Sequence, residues 1–127
     1  MDKLVSSYLQ AENISEEAYY IGMLEGSECN TMKSFLKQIG KTFKFPSYYG
    51  KNLNALNDCL NDLEWINKPN YILIITHSNK FLIDESEENK HHIIKFLEEI
   101  PESWANVPNY EGEKEFRKKS DFKIKYL

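Results

Sequence analysis

An unbroken apolar run, Tyr71-Ile72-Leu73-Ile74-Ile75-Thr76, constrains the fold more than any other feature of the chain. Side chains of a strand alternate between two faces, so a strand with one wet face shows alternating polarity. Here successive positions are apolar, which is typical of a parallel strand covered on both faces. The run is far shorter than the ~20 residues of a membrane span. We predict that it forms the central strand of a parallel sheet.

Two further strands and three helices can be placed around this run. The segment 18–24 is aromatic and β-branched, and apolar residues alternate with Lys in 122–127, as in an edge strand. Apolar residues recur at helical spacing in 32–43, 53–63 and 86–104. Strands separated by helices indicate crossover connections and parallel pairing. The pattern therefore predicts an α/β fold.

Capping residues and one proline set the expected helix ends. Asn30 or Thr31 is expected to cap the first of these helices, Asn52 the second and Ser86 the third, since their side chains can accept bonds from free N–H groups. Pro101 lacks an N–H donor and is expected to interrupt the third helix.

The length of 127 residues predicts a single domain, 1–127. Within it, residues 1–15 are expected to be an N-terminal extension with at most a short amphipathic turn, 18–127 the core, and 105–121 a long polar loop. The N-terminus lacks a basic segment followed by an apolar one, so we expect no signal peptide and a cytoplasmic location. Two cysteines do not suggest a disulfide framework.

The motifs of common enzyme classes are missing from the sequence. It has no phosphate-binding loop, dinucleotide fingerprint, nucleophile elbow or zinc-protease motif. His91 and His92 would diverge by about 100° on a helix, so a metal site joining either to His77 is less plausible than solvated histidines. We expect no catalysis, no metal and no cofactor.

The charge balance bears on the class of partner. A net charge of −4 argues against direct nucleic-acid binding and is compatible with a basic protein partner. No membrane association is expected.

The segment 53–63 would form a helix with an unusual outer face. Its leucines and Cys59 gather on one side, while Asn54, Asn57, Asp58 and Asn61 gather on the other, with Asp62 at the boundary. Asn costs up to ~0.7 kcal/mol relative to Ala inside a helix. Such a face either hydrogen-bonds a partner or reflects the Lys, Asn and Ile bias of an AT-rich genome.

The same region carries a resemblance to a known family. Tyr48-Tyr49-Gly50, Asn52, Ala55-Leu56 and Asp58-Cys59-Leu60 resemble the core motif of the barstar family, small intracellular inhibitors that plug the active site of a secreted ribonuclease. The order of elements extends the resemblance to 18–127. It implies a two-layer α/β fold with three parallel strands in the order 1-2-3, about four helices and a basic secreted nuclease as partner.

The resemblance also implies site residues. Asp58 matches the family's most important acid, Tyr48 a contacting tyrosine, and Asn52 the helix-cap asparagine that borders the partner. Glu98 lies near a contact acid on the longer helix. With the polar face of the motif helix, the expected partner-binding residues are Tyr48, Asn52, Asn54, Asn57, Asp58, Asn61, Asp62 and Glu98.

Three positions depart from the family pattern and leave two hypotheses. Asn54 replaces a second Asp, while Asn57 and Lys51 stand where a member has a large aromatic residue and an acid. The first hypothesis is an immunity or antitoxin protein that blocks a basic ribonuclease-type toxin. The alternative is a barstar-like interaction module without nuclease-inhibiting activity.

Overall fold

The computed structural model describes residues 3–106 and 118–127. Within them, three strands form one parallel sheet in the order β1-β2-β3. The predicted α/β fold and strand order are confirmed. The elements are α1 (Lys3–Ala11), β1 (Tyr19–Glu25), α2 (Met32–Thr42), α3 (Leu53–Leu60), β2 (Asn70–Thr76), α4 (Glu87–Ala105) and β3 (Phe122–Tyr126).

Strand β2 is buried on both faces, as the unbroken apolar run predicts. Tyr71, Leu73 and Ile75 face the main core, which α2, α3 and α4 complete. Ile72 and Ile74 point to the other face of the sheet. Because helices cover both faces, no position from Tyr71 to Ile75 needs to be polar, and the alternation typical of a half-exposed strand is absent.

The expected N-terminal extension contains a helix that packs on the sheet. Val5 and Leu9, one turn apart in α1, are buried against Ile72 and Ile74. A helix of nine residues is marginal on its own in water. Its stability therefore comes from the apolar sheet face that it covers, on the side opposite to α2, α3 and α4.

Side-chain caps fix the starts of the three other helices. Thr31 caps α2 in a reciprocal capping box with Ser34. The Asn52 side chain accepts a hydrogen bond from the Ala55 N–H at 2.8 Å, and Ser86 caps α4. All three caps were expected from the sequence, and Thr31 rather than Asn30 caps the first helix.

Two predicted helix boundaries are wrong. The helix expected over 53–63 ends at Leu60, and Leu63 adopts a left-handed conformation with φ 53°. Leu63 is nevertheless fully buried, so its side chain belongs to the core as predicted although its backbone lies beyond the end of the helix.

Helix α4 also continues through Pro101 to Ala105. A proline removes one helical hydrogen bond. Here a tertiary hydrogen bond stabilises the last turn, because the buried Trp104 donates its indole N–H to the Leu60 carbonyl of α3 at 2.9 Å.

The polar loop expected over 105–121 falls mostly on 107–117, outside the described residues. Beyond it, Lys118 donates to the Lys68 carbonyl at 2.7 Å and Ser120 to the Pro69 carbonyl at 2.8 Å, which aligns β3 beside β2. Cys29 and Cys59 are both buried and free, so no disulfide forms. Across the described residues, no helix is long and apolar enough to cross a bilayer.

Candidate partner-binding surface

Helix α3 divides its side chains between the core and the solvent. Leu56 and Leu60 are fully buried and Cys59 is nearly so. Asn54, Asn57 and Asp58 are exposed. The two faces predicted from helical spacing are thus confirmed, and the exposed row forms a polar ridge along α3.

Asp58 lies at the C-terminal end of this ridge, one turn after Asn54. Within residues 3–106 and 118–127, its carboxylate accepts no hydrogen bond and forms no ion pair. It also sits in the last turn of α3, where the helix dipole favours a cation over an anion. Local helix stability therefore does not explain an aspartate at this position.

Tyr48 stands on one flank of the ridge, close to two further acids. Its side chain is 73% exposed. Desolvation first, and then the nearby Cys59, Asp62 and Glu64, raise the pKa of the Tyr48 phenol above its ordinary value. Glu64, which was not among the expected contact residues, thus joins Asp58 and Asp62 at the C-terminal end of α3.

The turn that presents Tyr48 is anchored through its neighbour Tyr49. The Tyr49 hydroxyl donates to the Leu36 carbonyl of α2 at 2.9 Å, and its ring meets Phe45 edge-on at 4.7 Å. A Cβ on Gly40 would lie 2.9 Å from the Tyr49 ring, so the glycine within α2 makes room for this anchor. Tyr49 points inward, and Tyr48 is left to point outward.

The other flank of the ridge is tied to α4. The Asn61 amide donates to both the backbone carbonyl and the side-chain oxygen of Asn57, each at 2.9 Å. Its own oxygen accepts from the Ser103 hydroxyl of α4 at 2.9 Å. Asn61 therefore bonds within the protein and fixes the end of α3 against α4.

Glu98 lies on a different side of α4 from the one that contacts α3. Tyr126 of β3 has its pKa raised to about 12, by burial first and then by the charge of Glu98. Glu98 precedes Ser103 by five positions, which is about 140° around a helix. The structure thus brings Tyr48, Asn54, Asn57, Asp58 and Asp62 onto one surface, with Asn52 at the start of α3, and places Glu98 apart from it.

Groups suited to covalent or metal chemistry are not assembled in the described part of the chain. No cluster of three or more His, Cys, Asp or Glu residues that could hold a metal occurs within it. His77 contacts Glu25, with Nδ1 2.7 Å from Oε1. Burial first raises the pKa of Cys29, to about 11, and also that of Cys59, so both thiols are poor nucleophiles.

Comparison with known proteins identifies the architecture. A family model described as Barstar (barnase inhibitor) matches residues 20–124. The chain belongs to the barstar family. No curated protein matches it significantly. The barstar match covers most of the sheet together with α2, α3 and α4, and α1 lies outside it.

The positions where this barstar-family chain departs from the motif are all exposed. Lys51 precedes the Asn52 cap, Asn54 lies in the row of Asp58, and Asn57 bonds to Asn61. Among the described residues, this surface thus keeps the Asp58 carboxylate in the last turn of α3, two more just beyond it at Asp62 and Glu64, and a positive charge at the N-terminal end.

We predict that Asn61 and Ser103 are energetically coupled. Asn61→Ala and Ser103→Ala should each lower the free energy of unfolding, and a double-mutant cycle should give a coupling of about 0.5–1.5 kcal/mol, the net value of one hydrogen bond. Urea unfolding of the four proteins measures it. Additive losses would show that the bond does not hold α3 against α4.

Proposed function

We propose that this protein inhibits a basic ribonuclease-type toxin by placing α3 across the toxin's active site, as an immunity or antitoxin protein in the cytoplasm. The observation that carries the proposal is the Asp58 carboxylate, which has no partner among residues 3–106 and 118–127 and lies on the exposed ridge of a barstar-family chain. The family's description as barnase inhibitors supports the same class of target.

The proposed mechanism is mimicry of a substrate phosphate. A ribonuclease binds phosphate with Arg, Lys and His side chains, and a carboxylate can accept the same charge-assisted hydrogen bonds. Asp58 has no partner in the described residues, so binding breaks no bond of Asp58 within that part of the chain. The neighbouring Asp62 and Glu64 extend the negative charge, which speeds encounter with a basic partner.

Intramolecular hydrogen bonds already order the surface around Asp58 in the unbound protein. Asn52 caps the start of α3, Tyr49 anchors the preceding turn, and Asn61 with Ser103 holds the end. Ordering loops and side chains on binding reduces affinity, so a surface that is already ordered retains more of its contact energy.

A barstar-like interaction module without nuclease inhibition is the second candidate. Lys51, Asn54 and Asn57 favour it, because they make the ridge less acidic and less apolar than the family pattern. In this case α3 would contact a protein that has no phosphate-binding site.

The deciding experiment begins with capture of the partner from the source cell by the full chain. The captured protein is then purified and its RNA cleavage is measured against increasing inhibitor. We expect cleavage to stop near a 1:1 ratio, and co-expression of the chain to restore growth of a host that makes the toxin. A captured partner without nuclease activity, or cleavage that persists at saturation, would favour the second candidate.

A further inference from the structure

Three lysines meet at the N-terminal side of α3, next to the ridge. Lys33 and Lys37 come from α2, one turn apart, and Lys51 immediately precedes the cap of α3. All three are exposed and line an open surface depression of about 420 Å³, together with Thr31 and Ser34. In the part of the chain that the structure describes, none of the three ammonium groups forms an ion pair or a hydrogen bond.

The two hydroxyls in the depression are already used. Thr31 Oγ1 accepts from the Ser34 N–H at 3.2 Å, and Ser34 Oγ accepts from the Thr31 N–H at 3.1 Å. These two bonds form the cap of α2, and the Ser34 hydroxyl also donates to the Thr31 carbonyl at 3.0 Å. The ammonium groups of the lysines are therefore the groups left to bind a ligand here.

Local stability does not account for these charges. Lys33 lies in the first turn of α2 and Lys51 beside the start of α3, where the helix dipoles favour acids. Lys51 also has φ 54°, a left-handed conformation that lysine adopts less readily than glycine or asparagine. With Asp58 in the last turn of α3, the charges add to the helix dipole: positive potential at one end of the ridge and negative at the other.

We propose that this lysine cluster (Lys33, Lys37 and Lys51) binds acidic side chains of the same protein that α3 contacts. The inference rests on the proposed function and extends it to the chemistry of the partner. The partner would carry Asp or Glu residues beside its basic site, spaced to meet the cluster while Asp58 occupies that site. In a reversed orientation like charges would face each other, so a surface that is positive at one end and negative at the other selects one docking direction. The same surface disfavours partners that are uniformly basic.

The geometry favours a carboxylate-bearing segment over a single phosphate. Compact phosphate sites hold the anion with converging backbone N–H groups or hydroxyls. Here the hydroxyls serve the cap, and the three cations stand around an open depression on two separate elements. Such an arrangement fits several carboxylates spread along a chain.

The test uses an octaglutamate peptide as probe and the full chain at low salt. Two-dimensional NMR follows the amides during titration, and the largest shifts are expected at Lys33, Lys37 and Lys51. The triple variant Lys33→Gln/Lys37→Gln/Lys51→Gln should bind the peptide about tenfold more weakly, as three exposed charge pairs predict. The matched control Lys3→Gln/Lys80→Gln/Lys95→Gln removes three exposed lysines elsewhere and should bind within about twofold of the unmodified chain.

Each other outcome overturns the inference. Equal weakening in both triple variants would mean non-specific attraction. Inorganic phosphate that shifts the same amides, when octaglutamate does not, would mean a small-anion site. All these variants retain Asp58, so a negative peptide result beside an intact nuclease inhibition would remove only this inference, whereas loss of inhibition is the outcome that bears on the proposed function.

Discussion

Asp58→Ala is expected to weaken binding of the nuclease by roughly thirtyfold to several thousandfold. Truncating one member of a desolvated, hydrogen-bonded charge pair costs about 2–5 kcal/mol or more, a range that includes measurements on the barstar family's own complex. The fold should be unaffected, because the side chain is exposed and Ala favours a helix more than Asp does. Calorimetric binding and thermal unfolding of the purified variant measure the two effects separately.

Two variants serve as controls for this result. Asn54→Ala truncates a neutral side chain in the same row, and Glu98→Ala removes an acid from the side of α4 away from α3; each should change affinity much less than Asp58→Ala. Asn54→Asp should speed association and steepen its salt dependence. If Asp58→Ala binds as tightly as the unmodified chain, phosphate mimicry is the wrong mechanism.

Leu56→Ala should lower the free energy of unfolding by about 2–5 kcal/mol. Its side chain is fully buried, so truncation loses both the transfer free energy and the packing around the resulting cavity. Asn54→Ala, on the exposed side of the same helix, should change stability by no more than about 0.5 kcal/mol. Urea unfolding of both variants provides the comparison, and similar losses would contradict the assignment of the two faces of α3.

Local sequence patterns predicted much of the fold because the features that decide it are local. The unbroken apolar run of β2 reports burial on both faces, and Asn52 and Ser86 have side chains that cap the helix they precede. The end of α3 could not be predicted in this way. Leu63 continues the apolar spacing of the helix, yet it reaches the core from a left-handed conformation set by tertiary packing.

Long-range contacts explain the other differences from expectation. The last turn of α4 persists beyond Pro101 because Trp104 bonds to Leu60, which is distant in sequence. Helix α1 forms because Ile72 and Ile74 present an apolar face to it. The sequence of α4 alone does not reveal the bond to Leu60, and the sequence of α1 alone does not reveal the apolar sheet face that it covers.

Part of the candidate surface could be predicted because it depends on local helical spacing. Helical spacing alone places Asp58 on the outer side of α3. The spacing does not show that Asn61 bonds to Ser103, that Glu98 turns away from α3, or that Lys33 and Lys51 line one depression. Each depends on how separate elements pack together.

The position of α1 has a practical consequence for anyone who immobilises the protein. Because α1 covers the sheet face opposite to α3, a tether attached ahead of Lys3 leaves from the far side of the molecule. A sensor chip or resin coupled there would hold the ridge outward, free to meet a nuclease in solution. Random coupling through lysines would instead include Lys33, Lys37 and Lys51, and molecules attached there would have the ridge close to the support.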